Sequence, residues 1–206
     1  MEGQEYLNQI SGANRPVKKS RSGIFSSKLF IFGAVAAVAL IAMVIFGMVM
    51  GSSGNSGGEK NLGYALKLHI DNTSAAISEY QSLVKSSELR SSSASLYSVL
   101  SNTSRDLTGF LTEKYNLKDK EIDKKILANA TTASEELVSE LFEAKINGIL
   151  DRIYAHKMTY EITVIMTEEA KLMDVSKNSA LDEILTTSYN SLENLYEKFS
   201  DFSETK

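Results

Sequence analysis

The chain has 206 residues, a formal net charge of −4 at pH 7, no cysteine and one proline. Without cysteine it has no disulfide, no thiolate catalysis and no thiolate-bound zinc. Residues 51–206 carry 24 Asp and Glu against 17 Lys and Arg, and this acidic balance argues against a nucleic-acid partner, which needs clustered cations. Because the single proline is Pro16, no later residue is barred from a helix interior, and long helices are expected.

A basic tail of 28 residues begins the chain. The tail holds five cations against two acids. An apolar segment follows it, and in the 15 residues after that segment Lys60 is the only cation. By the positive-inside rule these cations are topology-determining: they predict a cytoplasmic N-terminus and a C-terminal domain outside the cytoplasm. The five are Arg15, Lys18, Lys19, Arg21 and Lys28.

Residues 29–50 are predicted to form a transmembrane helix. None of these 22 residues is charged, and at about 1.5 Å per residue they span about 33 Å, close to the roughly 30 Å of a bilayer core. The alternative is a cleaved signal peptide, whose apolar region is usually about 7–15 residues long. Small residues follow the span, so cleavage remains an open alternative.

Two pairs of small residues in this span have the spacing that lets membrane helices approach closely. They are Gly33 with Ala37, and Gly47 with Gly51. A helix–helix contact in the membrane is one interpretation. The other is that Gly and Ala are simply common in membrane helices.

The rest of the chain, residues 60–206, is predicted to be an all-α domain behind a flexible Gly/Ser linker at residues 51–59. Apolar residues recur at steps of three and four in successive blocks, which favours an antiparallel bundle of four or five helices. A Ser-rich stretch at 91–95 separates the first two blocks. Asn116 to Asp119 is predicted to be a turn that caps the next helix, and Asn147-Gly148 ends or kinks that helix.

The last block has the clearest pattern. Ser179-Ala-Leu-Asp182 matches a capping box, in which the Ser hydroxyl accepts a first-turn N–H and the acid reaches back. A strict four-three step then predicts one buried stripe. Its members are Leu181, Leu185, Ser188, Leu192, Leu195, Phe199 and Phe202.

Side chains able to carry chemistry are few. His69 and His156 are the only imidazoles, and neither lies in a Glu-x-x-His or His-Glu-x-x-His pattern, so both are predicted to be surface or boundary residues. Ser82 and Lys85 spell Ser-x-x-Lys without the companion motifs of a serine acyltransferase. Sequons, which matter only in a host with N-glycosylation, begin at Asn72, Asn102 and Asn129. The sequence therefore predicts no enzyme, no catalytic residue, no cofactor and no metal.

Several short segments together resemble a known family. They are Tyr6-Leu-Asn-Gln-Ile10, Pro16-Val-Lys-Lys19, the apolar span, the Gly/Ser linker, Asp151-Arg-Ile-Tyr-Ala155 and Tyr189-Asn-Ser-Leu192. In this combination the chain resembles a family of uncharacterised single-pass membrane proteins of ultrasmall, host-dependent bacteria. The resemblance implies a bacterial cell-envelope location, and it brings no catalytic residue.

These observations favour a non-enzymatic cell-envelope protein in the cytoplasmic membrane, whose helical domain contacts another envelope protein or a surface outside the cell. Self-association into a homo-oligomer is left open. The alternatives are an accessory sensor that binds a small ligand between its helices, and a pilin-like or spanin-like assembly subunit. An apolar cavity with buried polar groups would favour the sensor, whereas a flat or grooved apolar patch would favour protein binding.

Overall fold

The computed structural model describes residues 55–116 and 123–205. Among the helices of this part, none is both long enough and apolar enough to cross a membrane. The predictions made for the tail and the apolar span lie outside the described residues. They concern Arg15, Lys18, Lys19, Arg21, Lys28, Gly33, Ala37, Gly47 and Gly51.

The described chain is helical almost throughout and contains no strand, which confirms the all-α prediction. A short 3-10 turn, Gln81–Leu83, follows the first helix. The five α-helices are α1 (Asn55–Tyr80), α2 (Ser87–Tyr115), α3 (Lys124–Ile146), α4 (Leu150–Val175) and α5 (Ser179–Thr205).

The first two helices run antiparallel along their whole length. Near the end of α2, Lys114 Nζ lies 2.5 Å from Glu59 Oε1 at the start of α1. Farther along α1 and earlier along α2, the Ser104 hydroxyl donates to Asp71 Oδ1 at 2.5 Å. The contacts thus advance along α1 as they go back along α2, as the predicted antiparallel bundle requires.

The helix α1 begins earlier than the sequence indicates. It starts at Asn55, inside the segment predicted to be a flexible linker, so residues 55–59 are helical. Glu59 is buried in its ion pair with α2. At Gly63 the two helices are so close that an added Cβ would lie 2.9 Å from Leu111 Cδ2. These tertiary contacts offset the low helix propensity of the glycines.

The Ser-rich stretch at 91–95 does not separate two helices. The helix α2 starts before it, after Ser86, whose hydroxyl accepts the N–H of Leu89 at 3.3 Å. Inside the stretch, Ser93 donates to the carbonyl of Leu89, four residues back, at 2.7 Å. A serine whose hydroxyl bonds its own helix in this way needs no partner elsewhere, so a run of serines is compatible with a helix.

The end of α2 and both ends of α3 follow common helix-capping patterns. Asn116, which ends α2, has a φ of 48°, in the left-handed region that Asn tolerates. The residue that caps α3 is Asp123, four residues later than the predicted cap, and its carboxylate accepts the N–H of Lys125 at 2.8 Å. Gly148, with a φ of 71°, ends α3 and does not merely kink it.

The cap of α5 lies one residue before the predicted capping box. Asn178 Oδ1 accepts the N–H groups of Ala180 at 3.0 Å and Leu181 at 3.2 Å. Asn is at least as good an N-cap as Ser, so Asn178 takes the role that the sequence motif assigned to Ser179.

The connection between α1 and α2 is tied to the start of α4. The Asp151 carboxylate accepts the N–H of Lys85 at 2.9 Å and the N–H of Ser86 at 2.8 Å. Since Asp151 lies in the first turn of α4, the turn between α1 and α2 and the turn between α3 and α4 lie at the same end of the bundle.

The stripe predicted on α5 is buried at every position, so that prediction is confirmed. It packs into the main core together with the apolar faces of the other helices. The helix α3 contributes less to this core. Its buried residues are Ile126, Leu137, Leu141 and Ala144. Between them, Ala130 is half-buried and Ala133 is exposed, because a cleft opens there.

Candidate ligand-binding cleft

A cleft of about 300 Å³ lies between α1, α3 and α4. This volume is at the lower end of the range for small-ligand sites. Small residues create the space: Ala65 on α1 and Ala130 and Ala133 on α3 stand where larger side chains would close the gap between the helices. The walls also carry apolar side chains, among them Leu137 and Val164.

A histidine bridged by two carboxylates forms one side of the cleft. The Nε2 atom of His69 lies 2.6 Å from Glu161 Oε2, and its Nδ1 atom lies 2.9 Å from Glu168 Oε2. A carboxylate only accepts hydrogen bonds, so both ring nitrogens must donate, and the ring is an imidazolium. We call His69, Glu161 and Glu168 the bridged triad.

The charge of His69 is set by its neighbours. Burial on its own would lower the pKa of the imidazole, but the negative charges of Glu168 and Glu161 and their hydrogen bonds outweigh it and hold the pKa well above its usual value. His69 is therefore a cation at neutral pH.

Helix geometry explains how the triad assembles. Glu161 and Glu168 are seven residues, or two turns, apart on α4 and thus share one face. His69 lies one residue before the buried Ile70 and three after the buried Leu66, so it stands at the edge of the apolar stripe of α1. Packing α1 against α4 places the ring between the two carboxylates.

Two further hydrogen bonds hold α3 beside α1 along the cleft. The Asn72 side-chain amide donates to the carbonyl of Ala130 at 2.9 Å, and the Tyr80 hydroxyl donates to the carbonyl of Val138 at 3.3 Å. On the opposite side, Lys157 of α4 forms an ion pair with Glu140 of α3. The cleft is thus bounded by polar links between its three helices.

Tyr160 reports the electrostatic character of the cleft. Burial first, and then the charges of Glu161, Glu168 and Glu136, raise the pKa of its phenol above the usual value. Burial alone would raise this pKa, and the three carboxylates add to the rise because their negative potential disfavours the phenolate.

One buried hydroxyl in the cleft wall is unsatisfied. Thr73 is 1% exposed and lines the cleft one turn after His69. Its Oγ1 atom has no hydrogen-bond partner among the described residues. Such a group costs stability unless something bonds to it.

Behind the triad, Glu169 points into the core. It is 0% exposed, and neither of its oxygens has a partner among the described residues. Burial raises the pKa of this carboxyl to about 8. The Ser188 hydroxyl, which accepts a hydrogen bond from Thr103 Oγ1 at 2.9 Å, offsets part of that rise.

The sequence predictions and this cleft overlap little. His69 is a boundary residue, as predicted, with 18% of its side chain exposed, and His156 is exposed. The sequence did not indicate that both ring nitrogens of His69 are engaged. Ser82 and Lys85, the Ser-x-x-Lys pair, lie on the exposed turn after α1 and outside the cleft. Only part of the signal was local: two acids seven residues apart on an otherwise apolar helix face need a cation, but the sequence does not identify His69 as that cation.

Within residues 55–116 and 123–205, no group of three or more His, Asp and Glu side chains is arranged to hold a metal ion. Comparisons of the chain with protein-family models, with curated proteins and with solved structures found no match.

Proposed function

We propose that this chain is a membrane-tethered, non-enzymatic binding module of the cell envelope, and that the cleft between α1, α3 and α4 is its small-ligand site. One observation carries the proposal: an apolar-walled cleft of ligand size contains the bridged triad and the unsatisfied Thr73 hydroxyl. Ligand sites typically combine apolar walls with a few converging polar groups. This is the arrangement that distinguishes a sensor from a flat protein-binding surface.

The state of His69 supports a binding role over a catalytic one. Both ring nitrogens already donate to carboxylates, so the imidazolium has no lone pair to accept a proton or to bind a metal. A general base needs a free lone pair within reach of the substrate. In the bridged triad His69 serves to fix the two carboxylates in place.

The tether is supported by the sequence alone. The apolar span at residues 29–50, the five cations before it and the resemblance to single-pass envelope proteins all favour an anchored domain outside the cytoplasm. In this arrangement α1 follows the span within a few residues, because it begins at Asn55.

The topology can be tested by proteolysis of cells. After the outer layer is permeabilised, protease should digest residues 60–206 of the full-length protein and leave a membrane-bound N-terminal fragment, detected through an N-terminal epitope. The predicted orientation would be refuted by a body that resists digestion until the cytoplasmic membrane is lysed.

The ligand site can be tested by filling it. Ala133 lines the cleft and is exposed, so Ala133→Trp should occupy the cleft without disturbing the core. Ala128 is exposed on the same helix outside the cleft, so Ala128→Trp is the matched control. Neutral, cationic and anionic fragments would be screened by ligand-observed NMR against the full-length protein in nanodiscs.

Some fragments should lose their binding in Ala133→Trp and keep it in Ala128→Trp, with Kd values weakened about tenfold or more by the first change. The proposed site would be contradicted if neither substitution changed the binding of any fragment that binds the protein.

Protein binding is the leading function expected from the sequence. A different surface of the domain supports it. Phe142 and Ile146 lie one turn apart near the end of α3 and are 51% and 68% exposed, and Ile149, just after this helix, is 40% exposed. Exposed large apolar side chains that lie together typically mark a contact surface. Ile146→Glu should abolish crosslinking to an envelope protein and leave fragment binding in the cleft unchanged. If crosslinking is unaffected by that substitution, this face is not the contact.

A further inference from the structure

We propose that the cleft selects an organic cation: a free small molecule that carries one ammonium or amidinium group on a compact apolar body. This inference rests on the proposed ligand site and specifies its chemistry.

The carboxylates of the cleft outnumber its cations. Four glutamates line it, at positions 136, 140, 161 and 168, against the two cations Lys157 and His69. Lys157 is paired with Glu140, and His69 is shared by Glu161 and Glu168. With all these groups ionised the lining carries a net charge of −2, so a cation is attracted, an anion is repelled and a neutral molecule leaves the imbalance in place.

The triad leaves acceptor atoms unused. His69 engages only the Oε2 atom of each glutamate, and the Oε1 atoms of Glu161 and Glu168 form no hydrogen bond with any described residue. Thr73 lines the same cleft, and its buried hydroxyl has no partner in the described chain. An ammonium group supplies three N–H donors and no acceptor, which suits two carboxylate oxygens and a hydroxyl oxygen.

The remaining walls suit an apolar body attached to that cation. Tyr160 offers an aromatic ring in the field of three carboxylates, and cations are attracted to such ring faces. A cleft of about 300 Å³ encloses a small molecule and not a folded segment. The apolar lining consists of Ala65, Ile126, Ala130, Ala133, Leu137 and Val164.

The test uses three probes that share one body and differ in charge: 4-phenylbutylamine, 4-phenylbutan-1-ol and 4-phenylbutyrate. Their Kd values for the full-length protein would be measured at pH 7 by ligand-observed NMR in nanodiscs of zwitterionic lipid, with empty nanodiscs subtracted. The amine should bind about tenfold more tightly than either analogue, and added salt should weaken its binding. Nα-acetyl-lysine amide, which presents an ammonium as a peptide would, should bind more weakly than the free amine.

Adjacent glutamates on α3 provide the matched variants. Glu136 lines the cleft and forms no hydrogen bond with a described residue, whereas Glu135 is exposed and lies outside it. Glu136→Gln should weaken amine binding about threefold or more and leave the alcohol unchanged, and Glu135→Gln should have no effect beyond about twofold. Thr73→Val should also weaken the amine, while leaving the triad intact. None of these three substitutions changes a residue of the bridged triad, so the protein should remain folded.

The outcomes separate the two proposals. Equal or tighter binding of the alcohol or the carboxylate in the cleft would overturn the cation and leave the ligand site standing, and tighter binding of Nα-acetyl-lysine amide would overturn the free molecule as ligand. Equal effects of Glu136→Gln and Glu135→Gln on the amine would also overturn the inference. If no probe binds and no fragment senses Ala133→Trp, both proposals fail together.

Discussion

Leu192→Ala should lower the free energy of unfolding by about 2–5 kcal/mol, the usual range for removing a fully buried leucine side chain from a core. Leu192 is buried at the middle of the α5 stripe, where the lost methyl groups leave a cavity that the packed helices cannot close. Such a loss is a large share of the roughly 5–15 kcal/mol that stabilises a typical domain. Urea denaturation of the full-length protein in detergent micelles, followed by circular dichroism, measures it.

The neighbouring Glu193→Ala is the control, because Glu193 is exposed and about 100° around the helix. It should cost about 0.5 kcal/mol or less. Similar midpoint shifts for the two variants would mean that α5 is not packed on the face that the structure shows.

Glu169→Gln should remove a pH dependence of stability. The pKa of Glu169 is raised to about 8 in the folded protein, above the usual value of 4.5 that applies in the unfolded chain, so the folded state binds the proton more tightly. The contribution of Glu169 to stability is therefore greatest below pH 4.5 and falls as pH rises toward 8, by about 1.4 kcal/mol per pH unit at most. Glutamine is neutral at every pH, so the variant lacks this dependence of stability on pH.

The measurement compares unfolding free energies at pH 5 and pH 8.5. The difference between Glu169→Gln and the wild type should grow in favour of the variant by roughly 3–5 kcal/mol over this interval. The raised pKa of His69 also makes the protein lose stability as pH rises above about 6.5, but that contribution is common to both proteins and cancels. A constant difference across this range would show that Glu169 ionises freely in the folded state.

Local pattern was sufficient to predict the elements whose partners are close in the chain. The α5 stripe follows from a four-three step of large apolar side chains, which can be buried in only one way on a helix. Boundaries were less determined, because Asn178 and Ser179 are both good caps and the sequence does not rank them. The helical start at Asn55 depends on Glu59 and Gly63 meeting α2, which no local propensity encodes.

The cleft could not be predicted because it depends on residues far apart in the chain. His69 is 92 residues from Glu161 and 99 from Glu168, so no motif of short spacing contains the triad. Ala130 and Ala133 keep the step of a core stripe, yet they border the cleft, because two small side chains on α3 leave a gap that α4 does not fill. Sequence periodicity shows that a residue is apolar. It does not show whether other side chains fill the space next to that residue.

The odd number of helices between Asn55 and Thr205 has a mechanical consequence. Because helices that follow one another in the chain run antiparallel, the described chain enters at one end of the bundle and leaves at the other. The helix α1 alone, at 26 residues, is about 39 Å long. A pull between the two ends would act along the helix axes and shear all the packed faces at once. With an even number of helices both ends would lie on one side, and the faces would peel apart one contact at a time. The tie from Asp151 to the N–H groups of Lys85 and Ser86 braces the end farther from Asn55 against such a load.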